Sequence, residues 1–381
     1  MSGRLTRREL VQRGAAGVTV LSLPGLLAAC GGGGGGGGGG ELADTLRFSN
    51  WPLYIDIDEK TKKPGTLATF TQESGIAVDY FEDINDNASY FGKIQGPLSQ
   101  GRGIDRDIIV LTDNSRFPGL MISKGWAEEL DKDLIPNIDN LVQAQQSPPF
   151  DPDRTYSLPW QSGMTGIAWN EELTGPVTSL QQLLEDPKLK GKVTMLTEMA
   201  DSLGLVMQQN GDDPVSVTDE TFDRAIDTVN KAVSSGQIRR FTGNDYSGSL
   251  ANGDLAAAVA WSGDVVQLIA DNPKLKWAIP EAGGMIWTDN MLIPTDGSVP
   301  TASTYMNFVY DPRIAARIAA ATYYVTPVKG AREELAKTDP DTADNTLIFP
   351  SDEMLAKVKQ FDSDALNNAD YIQKWQEVLG A

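Results

Sequence analysis

From Thr45 onward, short apolar runs alternate with amphipathic stretches along the chain. Thr45 to Trp51 predicts a strand, and Ile76 to Phe81 and Ile108 to Leu111 predict two more. The last of these is continuously apolar, the pattern of a parallel strand covered on both faces. Pro64 to Ser74 predicts a helix, with Leu67 and Phe70 inward, a proline start and Gly75 just beyond its end. Ala88 to Ser99 reads as helical despite Gly92 and Gly96, because Phe91, Ile94 and Leu98 share one face. Beyond the polar, proline-rich segment Ser147 to Asp153 the alternation resumes. Lys192 to Leu196 suits a strand, and Thr218 to Ser235 a long helix carrying Phe222, Ile226, Val229 and Val233 at helical spacing. Leu255 to Trp261, Leu275 to Ile279 and Met291 to Pro294 predict later strands; Asp311 to Tyr324 and Asn367 to Leu379 predict late helices. Such alternation implies an α/β architecture.

The segment before this body has a different logic. Arg4, Arg7, Arg8 and Arg13 precede a mostly apolar run from Ala15 to Leu27, the layout of an export signal. The run is too short to cross a bilayer, which takes roughly 20 residues. Thr6-Arg7-Arg8-Glu9-Leu10-Val11-Gln12 resembles the twin-arginine export motif, although Arg7 and Arg8 are also compatible with the general route. Leu27-Ala28-Ala29-Cys30 resembles a bacterial lipobox, in which the thiol takes a diacylglycerol and becomes the new N-terminus. The competing reading of Cys30 is a free thiol in an uncleaved leader. Ten glycines, Gly31 to Gly40, follow, a coil that would hold a body on the order of 15–20 Å from its anchor. The expected division is 1–29 signal peptide, 30–43 anchor cysteine and tether, and 44–381 folded domain. The expected location is the cell membrane, facing the periplasm or exterior.

Charge narrows the partners. The whole chain carries a formal −20, and a chain beginning at Cys30, with 28 basic and 51 acidic side chains, carries −23. That argues against nucleic acid, whose binding needs cationic neutralisation of phosphates, and permits a cationic ligand. No cysteine follows Cys30 and no histidine occurs anywhere, which removes disulfides, the commonest general base and the commonest transition-metal ligand. About 350 residues suffice for a self-supporting core divided into two lobes. No G-x-S-x-G elbow, Walker loop or C-x-x-C is present. Asp83-Ile84-Asn85-Asp86-Asn87 begins like a calcium loop, but Ala88 and Ile94 replace the glycine and glutamate it requires, so a helix-entry turn is expected. Adjacent Tyr323 and Tyr324 resemble the tyrosine pair of ferric-ion binders, against the simpler reading of a helix end on the core. No cofactor and no metal is expected.

Candidate chemistry lies at strand ends. Trp51 precedes Pro52-Leu53-Tyr54, Trp261 precedes Ser262-Gly263-Asp264, and Trp287 precedes Thr288-Asp289. In open α/β sheets these carboxyl ends face the ligand crevice, and an ammonium is well held by aromatic faces plus a carboxylate. With Phe150-Asp151-Pro152, Tyr156-Ser157-Leu158-Pro159, Gly283-Gly284-Met285-Ile286 and Thr326-Pro327, these motifs make the chain, from about Thr45 to Leu379, resemble the spermidine/putrescine-binding proteins of bacterial polyamine importers.

That resemblance implies a two-lobed periplasmic-binding-protein fold of type II, the Venus flytrap, each lobe a mixed, mainly parallel sheet flanked by helices. The implied lobes are about 44–155 with 290–328, and 156–289 with 329–381. It implies a monomeric, non-enzymatic receptor that closes on a polyamine and delivers it to a permease driven by a separate ATPase. Trp51, Tyr54, Trp261 and Trp287 would form an aromatic box, Asp289 would salt-bridge an amine, and Thr112 would supply a polar contact. A gapless match puts Met199 and Ser202 where a second acidic pair belongs, with Glu198 and Asp201 one residue earlier; whether those two face the cleft is open. Leu53 and Asn114 replace polar or aromatic contacts of the family. The alternatives are another amine-bearing solute, a ferric ion, or a secreted carboxylate-dependent hydrolase.

Overall fold

A computed structural model describes residues 41–58 and 61–380; Arg7, Arg8, Cys30 and the glycine run lie outside them. From Leu42 onward the described residues form one compact unit. Ten strands make one sheet: β1 (Thr45–Asn50), β2 (Ala77–Glu82), β3 (Ile108–Thr112), β4 (Ser157–Asn170), β5 (Val193–Leu196), β6 (Ile238–Thr242), β7 (Ala257–Trp261), β8 (Leu275–Ala278), β9 (Gly284–Leu292) and β10 (Val358–Lys359). Their order is β2-β1-β3-β9-β4-β7-β5-β6, with β8 beside β4 and β10 beside β9. This is the expected two-lobed α/β arrangement of mixed sheet and flanking helices.

The two long antiparallel strands β4 and β9 divide the sheet into halves. Parallel strands β2, β1 and β3 join through Asp289–Leu292 at one end of β9. Parallel strands β6, β5 and β7 join through Thr165–Trp169 at the other end of β4. β3 is therefore parallel to β1 but antiparallel to β9, a mixed environment where a wholly parallel one was expected. The register pairs Thr112 with Asp289, Gly163 with Trp287 and Thr165 with Trp261. Four strand ends thus converge on the middle of the sheet: Trp51 follows β1, Thr112 closes β3, Glu198 follows β5 by two residues, and Trp261 closes β7.

Local chemistry explains the element ends. The helix Gly65–Ser74 begins after Pro64 and stops at Gly75, whose φ of 79° is the left-handed cap that glycine adopts at little cost. Asp86 caps the helix Asn87–Ser99 by accepting from the Ser89 amide, so Asp83–Asn87 is a helix-entry turn, as expected. Thr218 and Thr221 form a reciprocal capping box on the helix Asp219–Ser234, and Phe222 stacks on Tyr371 of the helix Ala369–Leu379 at 3.9 Å. At the other end of the sheet, Phe48 of β1 meets Tyr305 at 5.3 Å and Tyr305 meets Phe70 at 5.1 Å. Asp151 accepts from the amides of Thr155, Tyr156 and Ser157 and fixes the entry into β4. The Phe150-to-Pro159 motif is structural in that respect.

Candidate functional site

Where the strand ends converge there is a narrow, partly open cavity. Trp51, Tyr54, Thr112, Glu198, Asp201, Trp261, Trp287 and Asp289 all line it. The structure also brings Pro52, Asn114, Asn244, Asp264 and Tyr324 to its wall. The aromatic rings run as a chain around the space. Trp51 meets Trp261 edge-on at 5.6 Å, Trp261 meets Trp287 at 6.1 Å, Trp287 meets Tyr324 at 5.8 Å, and Tyr324 meets Tyr54 at 4.7 Å. Close approach of these rings needs missing side chains. A Cβ on Gly163 of β4 would come within 2.5 Å of the Trp287 ring, and one on Gly263 would overlap Tyr324.

Tyr324 is packed in the core, as the simple reading of the helix end has it, and it also faces the cavity. The helix Pro312–Thr322 stops at Tyr323, which takes a left-handed φ of 58°, and the next residue is thrown into the cavity. Its hydroxyl donates to Asp264 Oδ1 at 2.7 Å. Leu53, also at positive φ (60°), turns the chain so that Trp51 and Tyr54 both face inward, and Gln267 donates to its carbonyl at 3.0 Å.

Four carboxylates share the cavity wall, Glu198, Asp201, Asp264 and Asp289, and no lysine or arginine lines it. Glu198 and Asp201, one residue ahead of Met199 and Ser202, both line the cavity and are buried. Ser202 instead donates to the Leu196 carbonyl at 2.7 Å. Both stand at a helix start: Glu198 is the residue before the helix Met199–Gln209 and Asp201 sits in its first turn. An acid there is also favoured by the helix dipole.

Each acid has its own donors. Glu198 Oε1 accepts from the Asn87 amide at 2.8 Å and from its Nδ2 at 2.9 Å. Asp201 accepts from Thr165 Oγ1 at 2.6 Å and Trp261 Nε1 at 3.1 Å, while Trp287 Nε1 donates to the same Thr165 hydroxyl at 3.0 Å. One carboxylate thus orients two tryptophans. Asp264 accepts from Tyr324, Tyr246 and Asn244. Asp289 accepts from Thr112 Oγ1 at 2.6 Å. Three polar atoms remain unpartnered in residues of the wall: Trp51 Nε1, the Tyr54 hydroxyl and Asn114 Oδ1.

Burial is the first cause of the acids' behaviour: it raises Glu198 to about 8, Asp289 to about 7, and Asp201 and Asp264 to about 6. The hydrogen bonds from Asn87, Thr112, Thr165 and Tyr324 pull in the opposite direction without winning. Behind the wall Asp113 is raised to about 6 by burial. The nearby Arg154 guanidinium is engaged by Gln145 O, Ser157 Oγ and Asn290 Oδ1. Among the described residues no cluster of acids has metal-ligating geometry. The site missed by sequence reasoning is Asp264, Asn244 and Tyr324. Asp264 stood in the quoted Trp261-Ser262-Gly263-Asp264 context, and that was the available signal for it.

A profile of bacterial extracellular solute-binding proteins matches residues 66–350. The spermidine/putrescine-binding periplasmic protein of Salmonella typhimurium is 24% identical over 317 residues, covering 82% of this chain and 85% of its own. The putrescine-binding periplasmic protein of Escherichia coli K12 is 26% identical over 336 residues, covering 82% and 85%. Among solved structures, a candidate spermidine/putrescine ABC transporter protein of Listeria monocytogenes superposes with a TM-score of 0.74 at 24% identity, covering 88% of this chain and 98% of its own. A lipoprotein of Treponema pallidum superposes with 0.70 at 20% identity, covering 89% and 100%. With its strand-end cleft and a profile match over most of its length, the chain belongs to the bacterial extracellular solute-binding protein family.

Proposed function

We propose that the protein is the extracytoplasmic receptor of an ABC importer for a polyamine of the putrescine or spermidine kind, acting by binding and release without catalysis. One observation carries this reading: four buried carboxylates face one cavity whose wall has no basic side chain. Buried charges are normally paired, and a multiply charged ammonium chain is the partner that completes this set. The rings of Trp51, Trp261, Trp287, Tyr324 and Tyr54 suit the methylene stretch and the ammonium ends, and the Asn114 carbonyl can accept from an amine. Named relatives that bind putrescine and spermidine support the choice.

The proposal includes closure of two lobes between which the chain crosses near residues 155–156, 289–290 and 328–329. It also includes delivery to a permease with a separate ATPase, and a monomeric body leashed to the membrane through Cys30. The test of the ligand is calorimetric titration of the purified protein with putrescine, spermidine and a monoamine. Saturable heat with the polyamines, lost in Asp289→Asn, supports the reading; no heat from any of them rejects it. For the anchor, palmitate labelling that disappears in Cys30→Ala is expected, and labelling that persists there rejects it.

A further inference from the structure

The turn Asp83–Asn87 was singled out by its acids, and neither its sequence pattern nor the cavity wall accounts for what it does. Asn87 does not line the cavity, yet it reaches two of its acids. Its Nδ2 and backbone amide donate to Glu198, its Nδ2 also donates to Thr112 Oγ1 at 3.0 Å, and its Oδ1 accepts from the Thr112 amide at 3.0 Å. Thr112 in turn donates to Asp289. Two residues earlier, the Asn85 carbonyl accepts from the Asn244 amide at 2.9 Å, and its Oδ1 accepts from the Asp245 amide at 3.1 Å. Asn85 Nδ2 donates back to Asp245 Oδ1 at 3.4 Å. Asn244 then donates from its side chain to Asp264 at 2.7 Å.

One short turn between β2 and the helix Asn87–Ser99 therefore bridges to β5's end and to the segment after β6, which belong to the other half of the sheet. The contact at the rim is tight. A Cβ on Gly243 would overlap the Asn85 carbonyl oxygen and crowd its side chain, and Asn85 supplies all of the nearest atoms it would meet. Gly243 has no left-handed φ, so the need for glycine there is steric and arises across this contact.

We propose that the turn Asn85–Asn87 is a two-point clasp: Asn85 fastens Gly243–Asp245 at the rim, Asn87 fastens Glu198 inside, and together they hold the closed cleft and its acids in register. Asn85 and Asn87 are positioning residues in this scheme. The inference rests on the reading of the cavity as a cleft that closes on a cationic solute. It goes further by naming what keeps it closed.

The experiment compares the full chain, Gly243→Ala, and the matched control Gly248→Ala, whose added Cβ meets open space. Two readouts are taken. The first is putrescine dissociation followed by tryptophan fluorescence; the second is amide hydrogen exchange at Asn244 and Asp245 without ligand. In Gly243→Ala, dissociation should accelerate by about tenfold with the association rate nearly constant, as for losses that act after encounter. The two amides should lose protection, and the ligand-free melting temperature should hold; Gly248→Ala should match the wild type throughout. A second variant, Asn87→Ser, should also speed dissociation. Equal dissociation rates and equal amide protection in Gly243→Ala and wild type overturn the clasp. A wild type that binds no polyamine overturns the functional reading instead, and the amide comparison then decides the clasp by itself.

Discussion

Asp201 and Asp289 are both buried acids of one cavity, but their surroundings give them different work. Asp201 spends its oxygens on Thr165 and Trp261 and so fixes the ring walls. Asp289 has the Thr112 hydroxyl on one oxygen and is the better free partner for an amine. Asp289→Asn should therefore lower diamine affinity by about 10²–10³-fold, the scale of breaking a buried pair. The ligand-free melting temperature should not fall, because the change also relieves crowding of like charges. Retained affinity, measured by calorimetry, would remove Asp289 from the site. Thr165→Val should act differently: it leaves the Trp287 indole N–H and one Asp201 oxygen unpaired, costing about 1–3 kcal/mol of stability, read by denaturant titration. At this scale the sequence located residues beside strand ends, namely the tryptophans, Asp289 and Thr112. It noted Asp264 and Tyr324 without placing them in the site, and it missed Asn244, because their placement depends on positive φ at Tyr323 and on pairings between distant segments. That Glu198 and Asp201 both face the cavity is legible only once the start of their helix is known.

Elements with strong local signals sit close to where the apolar pattern put them. Pro64 and Gly75 bracket one helix, and the apolar face of Asp219–Ser234, with Phe222, Ile226 and Val229 buried, marks another. β4 was not legible, since all of its residues are buried on both faces and no alternation remains to read. β9 was recognised only at its end for the same reason, with Thr288, Asp289 and Asn290 buried in its middle. Both are crossing strands, where polar residues are kept inside to build the cleft. Two element-scale expectations contrast a change in stability alone with a change in the box. Thr218→Ala removes a capping box far from the cavity and should cost about 1 kcal/mol in denaturant titration with unchanged ligand affinity. Gly163→Ala should act on both, displacing the Trp287 ring, weakening polyamine binding and costing about 1–3 kcal/mol of stability by overpacking. A variant with wild-type affinity would contradict the packing account of the box.

At the scale of the whole molecule, the cleft couples ligand to protons. Buried Glu198 and Asp289 hold protons to about 8 and about 7, whereas exposed carboxylates release them near about 4. The folded, ligand-free protein thus binds protons that the unfolded chain has already lost. Its stability should fall as pH rises from about 4 to about 8. A polyammonium ligand favours the charged acids, so binding should expel protons and tighten as pH rises across about 6 to 8, by at most about tenfold per pH unit for each proton released. Titrations at pH 7 in buffers of different ionisation heat read that release directly, and heats independent of buffer would contradict it. The surplus of acids over bases was visible in composition, but its concentration in one cavity without a basic partner is a product of the fold.

The most direct test of the central claim is calorimetric titration of the purified protein with putrescine, spermidine and butylamine at pH 8. The account predicts saturable, one-to-one binding of a polyamine far tighter than that of the monoamine, because only the former can pair with acids at separated points of the cavity. Absence of heat from both polyamines, or binding no tighter than that of butylamine, would contradict it.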